Sequence, residues 1–218
     1  MKADQVPHGA YQRSGRIAEV ALARTSIPRC CVMLGANHTN WGPAWSLMSR
    51  GAYETPLGSV PVDEPLADAV MARCSQLEDD GLAHRGEHAI EVVLPFLQRL
   101  GPEQLRVVPL VVRASGDRQA QQVGQELAAV LRDWHEPVLV IASCELSQYG
   151  PDADVRAADA QLLNALCRLQ VDEALGHLER QEHATCGAGA LICAARMAAA
   201  LGAAGGDVAA YTTSAQQG

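Results

Sequence analysis

The sequence predicts an α/β fold, a single domain whose central sheet is flanked by helices. Three observations predict it. Short apolar runs at 27–34 (IPRCCVML), 105–112 (LRVVPLVV) and 137–142 (PVLVIA) are bounded by turn or charged residues, as strands buried on both faces are. Segments around them place apolar residues at helical spacing with polar faces between. Strands that alternate with helices build layered α/β architectures.

In chain order, 27–34 is the first strand of the sheet centre, followed by helices over 61–76 and 88–100. The second central strand, 105–112, leads to a helix over 119–133, and the third, 137–142, to a helix over 152–169. The segment 188–201 is so rich in Ala and so poor in charge that it predicts a helix enveloped by the rest of the protein. Residues 202–206 then stop the helix and turn, and 208–211 reads as a last strand. With no internal repeat, low-complexity tract or Pro/Ser-rich linker, residues 1–218 read as one domain.

Composition removes several function classes. A hydrophobic fraction of 48% with 19% charged residues is that of a folded globular chain, not a disordered one. The formal net charge of −8, without any Lys/Arg run, would repel a phosphate backbone, so no nucleic-acid partner is expected. No apolar stretch approaches the roughly 20 residues that span a bilayer, and the first residues lack a signal-peptide core; the expectation is a cytoplasmic protein with no membrane contact. Seven scattered cysteines with no CxxC pair suit reduced thiols and exclude a zinc ribbon. Neither GxGxxG nor GxxxxGK[ST] occurs, which removes support for a dinucleotide or P-loop site.

Ligands of open α/β sheets bind beyond the carboxyl ends of the strands. Three polar segments are placed for this: 35–42 (GANHTNWG), carrying His38; 143–150 (SCELSQYG), carrying Glu145 and Gln148; and 185–189 (TCGAG), where Cys186 precedes the Ala-rich helix. A helix N-terminus favours thiolate, so Cys186 is better placed to ligate than the other six cysteines. Spacing alone favours His38 as a structural loop histidine and Cys186 as an inert packing residue. His84 and His88 are four apart, but Gly86 intervenes and the helical pattern begins near Glu87, which favours capping or a role behind the ligands. His135, His177 and His183 sit among charged residues and are expected to face solvent.

Taken in order, the motifs resemble the Memo family, including its bacterial and archaeal members called AmmeMemoRadiSam system protein B. VPHGAY at 6–11 looks like the family's APHAGY, and LGANHTNWG at 34–42 like its LGPNHTG. TPLGSVPVDEPLA from Thr55, AHRGEHAIEVVLPFLQ from Ala83, LRVVPLVV from Leu105, IASCELSQYGPD from Ile141 and TCGAGAL from Thr185 complete the series. No single motif would suffice, but seven in order at comparable spacing are specific, and they cover nearly the whole chain.

The resemblance implies a fold similar to class III extradiol dioxygenases and a mononuclear metal held by two histidines and one cysteine, here His8, His38 and Cys186. A thiolate in place of a carboxylate ligand suits Fe(II) first, with Cu or Zn as alternatives, and disfavours Mg or Ca. Departures from the family matter too. The SSD-type motif reads Ser143-Cys144-Glu145, keeping a carboxylate on a longer arm, and Gln148 stands where the resemblance expects an acid/base histidine. An amide cannot take up or release a proton near pH 7, and His84 or His88 could compensate; Glu145, Gln148 and His88 are the candidate catalytic residues. HGAY for HAGY shifts the glycine beside His8. Compared with the family the chain would lack an N-terminal segment and a final C-terminal strand, and a sheet edge left bare there favours a homo-oligomer.

Two functions remain open. One is a metal-dependent oxidoreductase acting on a small-molecule substrate; the other is a non-catalytic metal-binding adaptor that binds a peptide or protein. A radical-SAM protein partner, implied by the name of the bacterial system, is compatible with either.

Overall fold

The structure is a computed structural model and describes residues 2–113, 118–180 and 185–216. Its six-stranded sheet is built from β1 (Lys2–Val6), β2 (Cys30–Ala36), β3 (Trp45–Leu47), β6 (Glu78–Asp79), β7 (Arg106–Val112) and β8 (Val138–Ser143), while β4 (Ala52–Thr55) and β5 (Gly58–Pro61) form a separate hairpin. The sheet order is β1-β8-β2-β7-β3-β6; β1, β8, β2 and β7 run parallel, and β3 opposes β7. The three apolar runs are thus the adjacent strands β8, β2 and β7. Their continuous hydrophobicity follows from burial on both faces. Cys30, Val32 and Leu34 enter one core with Val138, Val140 and Ala142, while Cys31, Met33, Leu139 and Ile141 enter the other.

One face is covered by α1 (Tyr11–Ala23) and α4 (Leu94–Leu100), the other by α2 (Glu64–Arg73), α5 (Arg118–Asp133), α6 (Asp152–Cys167), α7 (Val171–Arg180) and α8 (Ala188–Ala200). Residues Gly189 to Met197 of α8 are buried save Arg196, as the Ala-rich composition requires of an enveloped helix. Packing explains why small residues are needed there. A Cβ on Gly124 of α5 would lie 2.6 Å from the Cys193 carbonyl oxygen, so the two helices touch backbone to side of backbone.

Two sequence expectations are corrected. Residues 88–100 form two short helices, α3 (His88–Glu91) and α4, because Pro95 has no N–H for the carbonyl of Glu91 and instead begins a new helix. Residues 208–211 are coil and not a strand. The segment is held by side chains: Tyr211 donates to Asp159 of α6 at 2.8 Å, and Asp207 just before it pairs at 2.7 Å with Arg24, the residue that follows α1. No helix among the described residues is long and apolar enough to cross a membrane.

Candidate metal centre

Register brings the carboxyl ends of three strands to one level: Val6 lies opposite Ser143, and Ser143 opposite Gly35. Two residues past the end of each strand stands a polar side chain, His8 after β1, His38 after β2 and Glu145 after β8. Cys186 arrives from the other direction, just before α8. Gly187 between them has φ 84, and a Cβ there would lie 2.9 Å from the Ser143 carbonyl oxygen; glycine is needed for both the left-handed turn and the close approach.

The donors meet. His8 Nε2 is 3.2 Å and His38 Nε2 2.6 Å from Cys186 Sγ, and the candidate ligand atoms of all three residues lie within 4.8 Å of one another. Both imidazoles are fixed from behind. The Ser143 hydroxyl donates to the Ala89 carbonyl oxygen at 2.5 Å, so toward His8 Nδ1, 2.9 Å away, it can only accept. His8 therefore carries its proton on Nδ1 and turns the bare Nε2 lone pair toward Cys186. His38 Nδ1 donates to Glu87 Oε1 at 2.8 Å, and its main-chain N–H donates to Glu87 Oε2 at 2.5 Å. Each histidine thus has a fixed ring orientation and an outward-facing Nε2, the arrangement that metal-binding imidazoles require.

The two histidines are electrostatically unlike. Burial, with the neighbouring His38 and His88, lowers the pKa of His8 to about 4, so it is neutral. Hydrogen bonds to Cys186 and then to Glu87 raise His38 to about 10, making it an imidazolium beside the sulfur. Burial raises the thiols of the other six cysteines, for example Cys31 and Cys74 to about 12. Among the described residues only Cys186 groups with His8 and His38 as a candidate ligand, and all seven cysteines are free of disulfides.

The remaining sequence candidates divide. Glu145 Oε1 accepts the main-chain N–H groups of His8 at 2.9 Å and Gly9 at 2.6 Å, holding the loop that carries the first imidazole. Gln148 is half-buried in the same loop, one residue past Ser147, whose bridge to Thr185 sets this loop against the Cys186 segment. His88 stacks on His38 with ring centroids 4.6 Å apart, lies 5.5 Å from His8, and leaves 48% of its side chain exposed. His84 does not join them. It is buried against Tyr53, whose hydroxyl is 2.8 Å from its Nδ1. Of the histidines expected to face solvent, His135 does, His177 is only partly exposed beside Glu173, and His183 lies outside the described residues. Sequence reading missed the roles of Glu87 and Ser143. The first was legible only as a helix cap, which it also is through the Ala89 N–H at 2.9 Å; its reach to His38 is tertiary.

The family model described as "Memo-like protein" matches residues 2–218. The chain belongs to the Memo family. Its relatives include MEMO1 family proteins of Methanopyrus kandleri, 35% identical over 211 residues covering 95% of this chain and 75% of the relative, and of Aquifex aeolicus, 34% identical with 98% and 79% covered. That of Methanothermobacter thermautotrophicus is 32% identical, with 95% and 76% covered. Among solved structures, the crystal structure of the uncharacterized protein JW3007 from Escherichia coli K12 aligns with a TM-score of 0.50, covering 90% of this chain and 88% of that one. At 14% identity this likeness concerns the fold of this Memo-family chain alone.

Proposed function

We propose that this Memo-family chain binds one redox-capable transition-metal ion through His8 Nε2, His38 Nε2 and Cys186 Sγ, and serves as an oxidoreductase for a small molecule. The observation that carries the reading is the convergence of two rear-anchored imidazoles on one thiol within 4.8 Å. Two nitrogens and a soft sulfur favour Fe(II), with Cu as the redox-capable alternative, whereas Zn at the same donors would supply Lewis acidity without redox chemistry. The ion would supply a Lewis-acidic, redox-active centre with positions left open for substrate.

The protein's own groups supply the rest. Ser143 and Glu87 keep the two Nε2 atoms aimed at the ion. Glu145 anchors the His8–Gly9 backbone. His88, partly exposed and stacked on His38, is the imidazole beside the ligands that offers acid/base chemistry, a task closed to the amide of Gln148. Gln148 is also what favours the second reading, a metal-binding partner protein without turnover, of which a radical-SAM protein would be one partner.

Protein purified without added metal should retain one transition-metal ion per chain, and Cys186→Ser should lose it. Equal metal content in parent and variant would refute the site. Oxygen consumption by the iron-loaded protein with a panel of catechols separates the two readings. Uptake abolished in Cys186→Ser supports the oxidoreductase, whereas a fully metallated but inert parent supports the partner protein.

A further inference from the structure

Cys186 is held in place from two sides. On its C-terminal side, Gly187 presses its backbone against Ser143 and Cys144 and opens α8. On its N-terminal side, Thr185 forms an antiparallel bridge with Ser147. Ser147 is itself tied down. Its main-chain N–H donates to Asp159 Oδ1 at 3.0 Å, reaching from the site loop into the middle of α6. Asp159 is only 2% exposed, and its second oxygen accepts the Tyr211 hydroxyl at 2.8 Å.

A carboxylate so buried is expensive unless it is hydrogen-bonded, and no ion pair reaches Asp159 among the described residues. A helix needing only to dock the C-terminal segment could do so with an apolar residue or an exposed polar one. Asp159 instead divides its two oxygens, one to the loop that meets Cys186 and one to Tyr211. The Tyr211 ring lies beneath the Arg156 guanidinium at 5.9 Å, so the tyrosine is itself located by α6.

We propose that Asp159 is a positioning residue for the metal-binding thiol, acting through Ser147 and Thr185, and that Tyr211 fixes the carboxylate for this role. The proposal rests on the metal-site reading above. It makes Tyr211, in the coil after α8, part of the apparatus that sets the sulfur's position. Removing Asp159 frees Ser147, lets the bridge to Thr185 shift, and changes the sulfur's distance and angle to the ion.

Cobalt(II) is the probe, since a cobalt–thiolate bond gives a charge-transfer absorption whose position and strength report that bond's geometry. The parent should show this band, and Cys186→Ser should not; a parent without it refutes the metal site itself, and the proposal with it. Asp159→Ala should shift or weaken the band and loosen cobalt binding by about 10-fold, the lower range for residues behind a ligand. Asp159→Asn keeps an acceptor for the Ser147 N–H and should restore most of both. Tyr211→Phe should move the band the same way by less, and it lies in a partly exposed coil where the substitution leaves folding intact. A purely structural Asp159 would lower the melting temperature in the Ala variant while leaving band and affinity unchanged, and that result overturns the proposal. Should Asp159→Ala fail to fold, unchanged cobalt affinity and spectrum in Tyr211→Phe overturns it equally.

Discussion

Replacing Glu87 by Gln probes the best-anchored part of the site. The carboxylate is 1% exposed and accepts three N–H groups, from the His38 main chain at 2.5 Å, His38 Nδ1 at 2.8 Å and the Ala89 main chain at 2.9 Å. Burial pushes its pKa up, but the bonds from His38 and Ala89 more than offset this, leaving it lowered from 4.5 to about 2. At about 1.4 kcal/mol per pH unit, that lowering corresponds to about 3 kcal/mol of stabilisation at neutral pH. A carboxyl whose pKa is lower folded than unfolded stabilises fully above the unfolded value and loses that contribution as pH falls from 4.5 toward 2. Gln has one acceptor oxygen, and its amide NH₂ must face at least one of the three donors. Chemical unfolding in the presence of a chelator should therefore show the variant less stable by about 3 kcal/mol at pH 7, with the gap closing as pH falls through that window. Metal affinity should fall about 10- to 100-fold, because His38 loses the partner that orients it. A gap below about 0.5 kcal/mol, the scale of ordinary surface substitutions, or a gap that does not change with pH, would refute the argument.

Three further outcomes are expected. An incoming metal must displace the Nε2 proton of His38, whose pKa stands at about 10, and binds the Cys186 sulfur only as thiolate, so affinity should rise by at least about tenfold per pH unit between about pH 7 and 9; competition titrations showing a flat profile would remove the imidazolium from the metal-free site. His84, lowered by burial to about 4, is more acidic folded than unfolded, so it withdraws about 3 kcal/mol of stability as pH falls from 6.5 to 4; acid titrations of His84→Gln should be flatter than the parent over that range, and parallel curves would contradict this. Gln148→His should raise oxygen consumption with catechols by up to about 10² to 10⁴-fold, and a variant that binds iron yet stays silent would shift the balance to the non-catalytic reading.

The sequence by itself determined the layered α/β architecture, because strands buried on both faces must be continuously apolar, as 27–34, 105–112 and 137–142 are, and α8 must be nearly free of charge to lie enveloped. Its motifs, through their resemblance to the Memo family, named the candidate ligands His8, His38 and Cys186, whereas spacing alone left His38 and Cys186 open to structural readings. Elements with weak local signals escaped it. α1 buries Ser14, Gly15, Ala18 and Leu22, too small and polar a stripe to announce a helix, and the 208–211 run resembled a strand but met helix side chains in place of a ladder. Only the tertiary structure decided which groups stand behind the ligands. Glu87 lies 49 residues from His38 and Ser143 lies 135 from His8, and neither spacing has a local signature. It likewise chose His88 over His84, two imidazoles that periodicity treats alike, because the break at Gly86 turns one over His38 and sends the other into the core against Tyr53. Such pairings follow from strand register and chain crossing, which act between distant segments and so leave no trace at fixed sequence distance.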